Sequence, residues 1–113
     1  MSNGSREAPE RLFILARRDL FCGQRAVQSC HALAELMRKH GDDPTVREWA
    51  DRHKTLVILG VRDRRELLRW RLRLGDARVT CEAFKEPDLN DEETALAVHP
   101  AADPHLFRNL RLL

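Results

Sequence analysis

Five consecutive apolar residues, Leu12-Phe13-Ile14-Leu15-Ala16, constrain the fold more than any other feature of this chain. An unbroken apolar run of strand length is expected where a strand is covered on both faces, which happens in sheets flanked by helices. The run ends at Arg17-Arg18-Asp19-Leu20, and Gly23 punctuates a short loop. From Gln24 to His40 apolar residues return at three- and four-residue steps (Val27, Cys30, Ala34, Met37), the period of a helix that buries one face.

The rest of the chain repeats this alternation. Gly41 is a natural helix stop, and Asp43-Pro44 is an N-cap followed by proline at the first helical position. A short second helix is expected to about Arg52, with Val46, Trp49 and Ala50 inward. A second apolar strand, Leu56-Val57-Ile58-Leu59, lies within Lys54 to Val61. Asp63 with Glu66 three residues later reads as a capping-box start to a third helix. That helix is expected to reach Leu74 and stop at Gly75, with Leu67, Trp70, Arg71 and Leu74 near one face. Arg78 to Phe84 alternates like a strand, Glu86 to Asp91 is an acidic turn, and Thr94 to Val98 is a fourth strand. Asp103-Pro104 caps a last short turn. The order β-α-α-β-α-β-β predicts a three-layer α/β domain, a four-stranded mixed sheet with helices on both faces. The link between the last two strands is too short for a helical crossover, so one strand runs antiparallel. Residues 1–10 read as a disordered lead-in, and 11–113 as a single domain.

Charge excludes a strong overall field, since the net charge is +2. Of the 20 basic residues, 17 are arginine. Arginine's planar fork matches phosphate, yet such richness is equally a product of base composition. Three cysteines at uneven spacing, with no CxxC, argue against a disulfide framework and a zinc site, so no metal is expected and the cytoplasm is the default location. Residues 1–10 lack an apolar signal region, and Leu56 to Val61 is far too short to span a membrane. Leu110, Leu112 and Leu113 suggest docking, onto the same domain or onto a second copy in a homodimer.

Chemistry is expected where the first strand meets the first helix, because open α/β sheets bind ligands beyond the carboxyl ends of parallel strands. Arg17, Arg18 and Arg25 there are either a phosphate cradle or solvated strand-end residues. His31, on a helix face similar to that of Gln24, is either a packed histidine bonded to Asp19 or half of a carboxylate–imidazole pair suited to general-base work. Glu86 and Asp88 offer carboxylates in a turn where acids are usually solvated, and the spacing fits no calcium loop. Thr94 offers a hydroxyl at a strand start. Arg62, Arg65, Arg69 and Arg73 step along one helical stripe, a phosphate-tracking ridge or an ordinary exposed face into which Glu66 pairs. Trp49 and Trp70 read as core, and Cys22 has no histidine beside it to make it a nucleophile.

Arg18-Asp19-Leu20, Gly23, Ala26-Val27-Gln28-Ser29-Cys30-His31-Ala32 and the strand Thr94-Ala95-Leu96-Ala97-Val98 together resemble the signature of the archaeal- and eukaryotic-type (type II) peptidyl-tRNA hydrolases. The resemblance covers residues 11 to about 100 and implies hydrolysis of the ester between a peptide and the terminal ribose of tRNA, with acylated tRNA as partner and no cofactor. It further implies His31, Thr94 and a loop carboxylate (Glu86 or Asp88) as catalytic residues. Arg17, Arg18, Asp19, Gln24, Arg25 and Gln28 are implied around the substrate. The family's loop lysine is replaced here by Gln24 or Arg25, and its Asp-Ala-Gly-Arg-Thr loop by Phe84 to Leu89, which marks a divergent branch. A module that kept the fold and binds RNA or protein without catalysis is the alternative.

Overall fold

The computed structural model describes residues 11–113, so the lead-in expected over residues 1–10 lies outside the described residues. The element order is β1 (Arg11–Arg17), α1 (Cys22–His40), α2 (Pro44–Glu48), β2 (Thr55–Val61), α3 (Arg64–Asp76), β3 (Cys81–Glu86), β4 (Glu92–Val98) and β5 (Arg111–Leu112). A π-helical turn, Trp49–His53, extends α2, and short 3-10 turns span Pro87–Leu89 and Pro104–Phe107.

The sheet has five strands in the order β3-β4-β1-β2-β5, which corrects the expected four. The fifth is only two residues long and pairs antiparallel with β2, Leu112 opposite Leu59 and Arg111 opposite Gly60. So short a strand carries no periodicity, which is why only its leucines were conspicuous. Leu110 and Leu113 pack onto cores of this same chain, while Leu112 is exposed. β1 runs parallel to β2 and antiparallel to β4, and β4 runs antiparallel to β3, so the sheet is mixed. β1 occupies the centre, and its residues from Leu12 to Arg17 are all buried, as the apolar run demands.

Helices cover both faces. On one, Leu12, Ile14, Ala16, Ala95 and Ala97 meet Ala32 and Leu36 of α1 and Trp49. On the other, Phe13, Leu15, Leu59, Val61, Leu96 and Val98 meet Leu67, Trp70 and Leu74 of α3, with Phe107 filling the corner. Alternate residues of β1 thus feed two separate cores, the period-two geometry of a doubly covered strand.

Several boundaries differ from expectation: β4 begins at Glu92 rather than Thr94, and β3 runs on past Phe84 to Glu86. α1 starts at Cys22, so Gly23 lies inside it, and α3 continues through Gly75 to Asp76. β3 starts at Cys81, because Arg78 adopts a left-handed conformation (φ 59°) that breaks the extended chain before it. The larger correction concerns α1. Its buried residues are Gln28, Ser29, Ala32 and Leu36; of the four expected inward, Met37 is half-buried against the same core, whereas Val27, Cys30 and Ala34 face solvent. Hydrophobic periodicity chose the wrong face because two polar residues are buried here for hydrogen bonding. Arg71 likewise turns outward from the α3 core.

Candidate functional site

Topology gathers the candidates at one end of the sheet. β1 and β2 are parallel and finish together at Arg17 and Val61. β4 begins there, β3 ends there, and α1 and α3 both start nearby, so their first turns flank the strand ends.

Arg17, the last residue of β1, is 7% exposed and central to this end. Its Nε and Nη2 donate to the two Asp19 carboxylate oxygens at 2.9 and 2.7 Å. Its Nη1 donates to Glu92 Oε1 at 2.8 Å and to the Glu93 carbonyl at 3.1 Å. These bonds consume four of the five N–H donors a guanidinium owns. Arg17 therefore ties β1 to β4 and fixes Asp19, and its charge is matched within the protein. The Arg17 bonds hold the Asp19 carboxyl below the usual carboxylate range. Asp19 thus binds Arg17 and makes no bond to His31.

The second cluster forms where α1 crosses β3 and β4. The β3–β4 register shifts between Phe84 and Lys85: Phe84 faces Ala95, Lys85 faces Glu93, and Thr94 is the unopposed residue of a β-bulge. A bulge re-aims a side chain. Here it turns Thr94 to the same face as Ala95, toward α1, while Glu93 turns toward α3. Thr94 is 0% exposed, and its Oγ1 donates to Gln28 Oε1 at 2.8 Å, with the Phe84 carbonyl at 3.4 Å as a second acceptor. Gln28 is 6% exposed; its Nε2 has no hydrogen-bond partner among the described residues and still reaches solvent. One helical turn on, the exposed His31 ring stacks on Phe84 with centroids 4.4 Å apart and planes 15° from parallel. His31, Gln28 and Thr94 therefore converge around Phe84, a residue the sequence did not single out.

The remaining candidates spread over the same end. Arg18 Nη2 donates to the Leu112 carbonyl at 2.6 Å, and its side chain lies so close over Gly60 that a Cβ there would meet the guanidinium. Arg25 donates to the carbonyls of Leu20 and Arg18, fastening α1 to the loop that precedes it. Gln24 Oε1 accepts the Phe21 N–H at 3.3 Å and so caps the helix start. Glu86 closes β3 opposite Glu92, and Asp88 sits exposed in the 3-10 turn behind it.

Glu93 belongs to the acidic stretch that the sequence reads as solvated; it is instead buried and held by Arg64 (3.0 Å) and Arg71 (3.4 Å) of α3. Burial alone pushes its carboxyl up, but its own backbone N–H and Arg64 outweigh that, and the net shift is downward. A pair of adjacent glutamates at the start of a strand otherwise buried was the available signal. Among the described residues no group of three or more His, Cys, Asp or Glu side chains is placed to hold a metal ion, and no helix is long and apolar enough to cross a membrane.

Among families of known proteins, the one described as peptidyl-tRNA hydrolase PTH2 matches residues 11–113. No curated protein matches the chain. The match spans every element described above, from the buried first strand to the two-residue fifth, and the chain belongs to the peptidyl-tRNA hydrolase PTH2 family.

Proposed function

We propose that the protein hydrolyses the ester bond of peptidyl-tRNA, or of a related acylated tRNA, in the cytoplasm and releases free tRNA. The observation that carries this reading is the bulge-directed Thr94–Gln28 bond beside the stacked His31 imidazole, in a chain of a hydrolase family.

The roles follow from what each group has left to offer. Gln28 spends its carbonyl on Thr94 and keeps its amide N–H for the ester carbonyl oxygen, where negative charge develops as water adds. Thr94 is a positioning residue that locks the amide orientation. His31 is held flat by Phe84, keeps its ring edge in solvent and takes the proton from the attacking water. Glu86, at the end of β3, or Asp88, on the β3–β4 connection, orients that water. The water oxygen bonds to the carbonyl carbon, the bond to the ribose oxygen breaks, and that oxygen receives the proton. The peptide leaves as a carboxylate, its remaining acid proton passing to solvent, and the tRNA leaves with a free hydroxyl. Arg18 contacts the RNA, while Arg17, Asp19, Gln24 and Arg25 shape the loop that holds it.

Release of peptide from peptidyl-tRNA tests this. The folded protein is expected to turn over, with rate losses of about 10²–10⁴-fold in His31→Ala and about 10²–10³-fold in Gln28→Ala. A folded protein that releases nothing, or variants as fast as the parent, would overturn the reading. One observation favours the non-catalytic alternative: the Thr94 hydroxyl is fully buried and satisfied within the protein. That alternative expects binding without release.

A further inference from the structure

An open groove of about 650 Å³ lies at the ends of β1, β2 and β5, and Arg18, Arg62 and Arg111 line it together with Asn109, Asp19 and Glu66. Both acids are partly spent, Asp19 on Arg17 and Glu66 on the backbone N–H of Arg62. Three guanidinium groups, from the loops after β1 and β2 and from β5, outnumber the two carboxylates, although Arg18 also donates to the Leu112 carbonyl and Arg62 Nε lies 3.7 Å from Asp63 Oδ2.

The groove opens onto α3. Residues 62–78 carry seven arginines against three carboxylates, a local charge of +4 in a protein whose net charge is +2. Several of these arginines have internal work: Arg64 and Arg71 hold Glu93, and Arg73 lies over the Trp70 ring at 4.3 Å. Arg65 and Arg69 are exposed and have no hydrogen bond or ion pair among the described residues. With Arg62 and Arg73 they recur at three- and four-residue steps, so they share the outward face of α3, and Asp76 closes that stripe. The run from Arg65 to Arg73 covers about 12 Å of helix axis.

The opposite face offers nothing comparable. The exposed positions near the site on this side include Phe21, just before α1, and Val27, Cys30 and Ala34 within it, and Arg25 is committed to loop carbonyls. Arg38 and Lys39 stand at the far end of α1, paired with Glu35 and Glu82. The end of β3 and the β3–β4 connection present Glu86, Asp88 and Asp91, which repel phosphate.

We propose that the phosphodiester backbone of the bound RNA enters at the Arg18–Arg62–Arg111 groove and runs outward along the Arg65–Arg69 face of α3, leaving the α1 face to the acyl group. This rests on the reading that the acyl carrier is a tRNA. The α3 ridge orients the RNA, and the groove holds the phosphate nearest the reacting end.

The test pairs two charge-matched double variants, Arg65→Gln with Arg69→Gln on α3, and Arg47→Gln with Arg52→Gln beside α2 as control. Binding of deacylated tRNA is titrated against ionic strength, and KM for peptide release is measured in parallel. Circular dichroism confirms that each variant is folded. Each lost phosphate contact lowers the log–log salt slope by about 0.7–0.9, so the α3 variant is expected to lose roughly 1.5 in slope. Its tRNA affinity falls and its KM rises by about tenfold, while the control stays at the parent's slope. Equal effects in both pairs, or no tRNA binding by the parent, would overturn the proposal. If the α3 variant loses slope but the parent releases no peptide, the RNA path stands and the hydrolase reading falls. If peptide is released with a KM indifferent to the α3 variant, the hydrolase reading stands and the path falls.

Discussion

Thr94→Val removes one hydroxyl proton donor and keeps the shape of the side chain, so it isolates the bond on which the candidate site is built. Thr94 is fully buried and Gln28 nearly so, and the Oγ1–Oε1 separation is 2.8 Å. The variant leaves the Gln28 carbonyl oxygen without a donor away from water. Stranding such an acceptor costs about 1–3 kcal/mol. A chain of 113 residues unfolds with roughly 240 cal/mol/K of entropy, so a loss of about 2 kcal/mol lowers Tm by about 8 °C. Gln28→Leu is expected to cost less, because the Thr94 hydroxyl retains the Phe84 carbonyl at 3.4 Å as an acceptor. The double variant replaces both partners with apolar groups and falls well short of the sum of the singles, a coupling of about 1–2 kcal/mol. Urea and thermal melts of the four proteins measure the stability cycle. Peptide release by Thr94→Val measures the positioning role, and a fall in kcat larger than any change in KM is expected. Additive stabilities, with Thr94→Val within about 0.5 kcal/mol of the parent, would refute the reasoning, since the bond would then orient nothing.

Arg17→Met strands the buried Glu93 carbonyl and frees Asp19 and Glu92, which are more than a third exposed and rehydrate, so a loss of about 1–3 kcal/mol at pH 7 is expected in urea melts. Because Arg17 lowers the folded-state pKa of Asp19, that pair contributes stability above the unfolded carboxyl pKa and loses it as pH falls through the folded value. The gap between parent and variant should narrow below about pH 4, and a gap independent of pH would count against the pairing. Cys22 and Cys30 are exposed, whereas burial raises the Cys81 thiol pKa. Iodoacetamide followed by mass spectrometry should therefore modify Cys81 last; early labelling of Cys81 would contradict the packing of β3.

Much of this was legible from residue order. The apolar run in β1 announced a strand covered on both sides, and it lies at the centre of the sheet. Asp43 and Asp63 announced helix starts, and each accepts the backbone N–H bonds expected of a cap, Asp43 from Thr45 and Val46 and Asp63 from Glu66. These features are local, so a few neighbouring residues suffice to specify them. β5 escaped because its pairing with β2 is a long-range event between segments with no shared pattern. The inward face of α1 escaped for a different reason: Gln28 and Ser29 are buried because Thr94 and the Arg25 carbonyl bond to them.

Residue order alone specifies a helix-covered sheet, the succession of its main elements and the kinds of group gathered at one end. Which of those groups meet depends on packing between segments far apart in the chain. Strict alternation along β4 would put Thr94 on the face opposite Ala95, beneath α3 and away from Gln28 and His31. The single-residue bulge against Phe84 reverses that, because an extra residue in one strand carries the next side chain to the other face of the sheet.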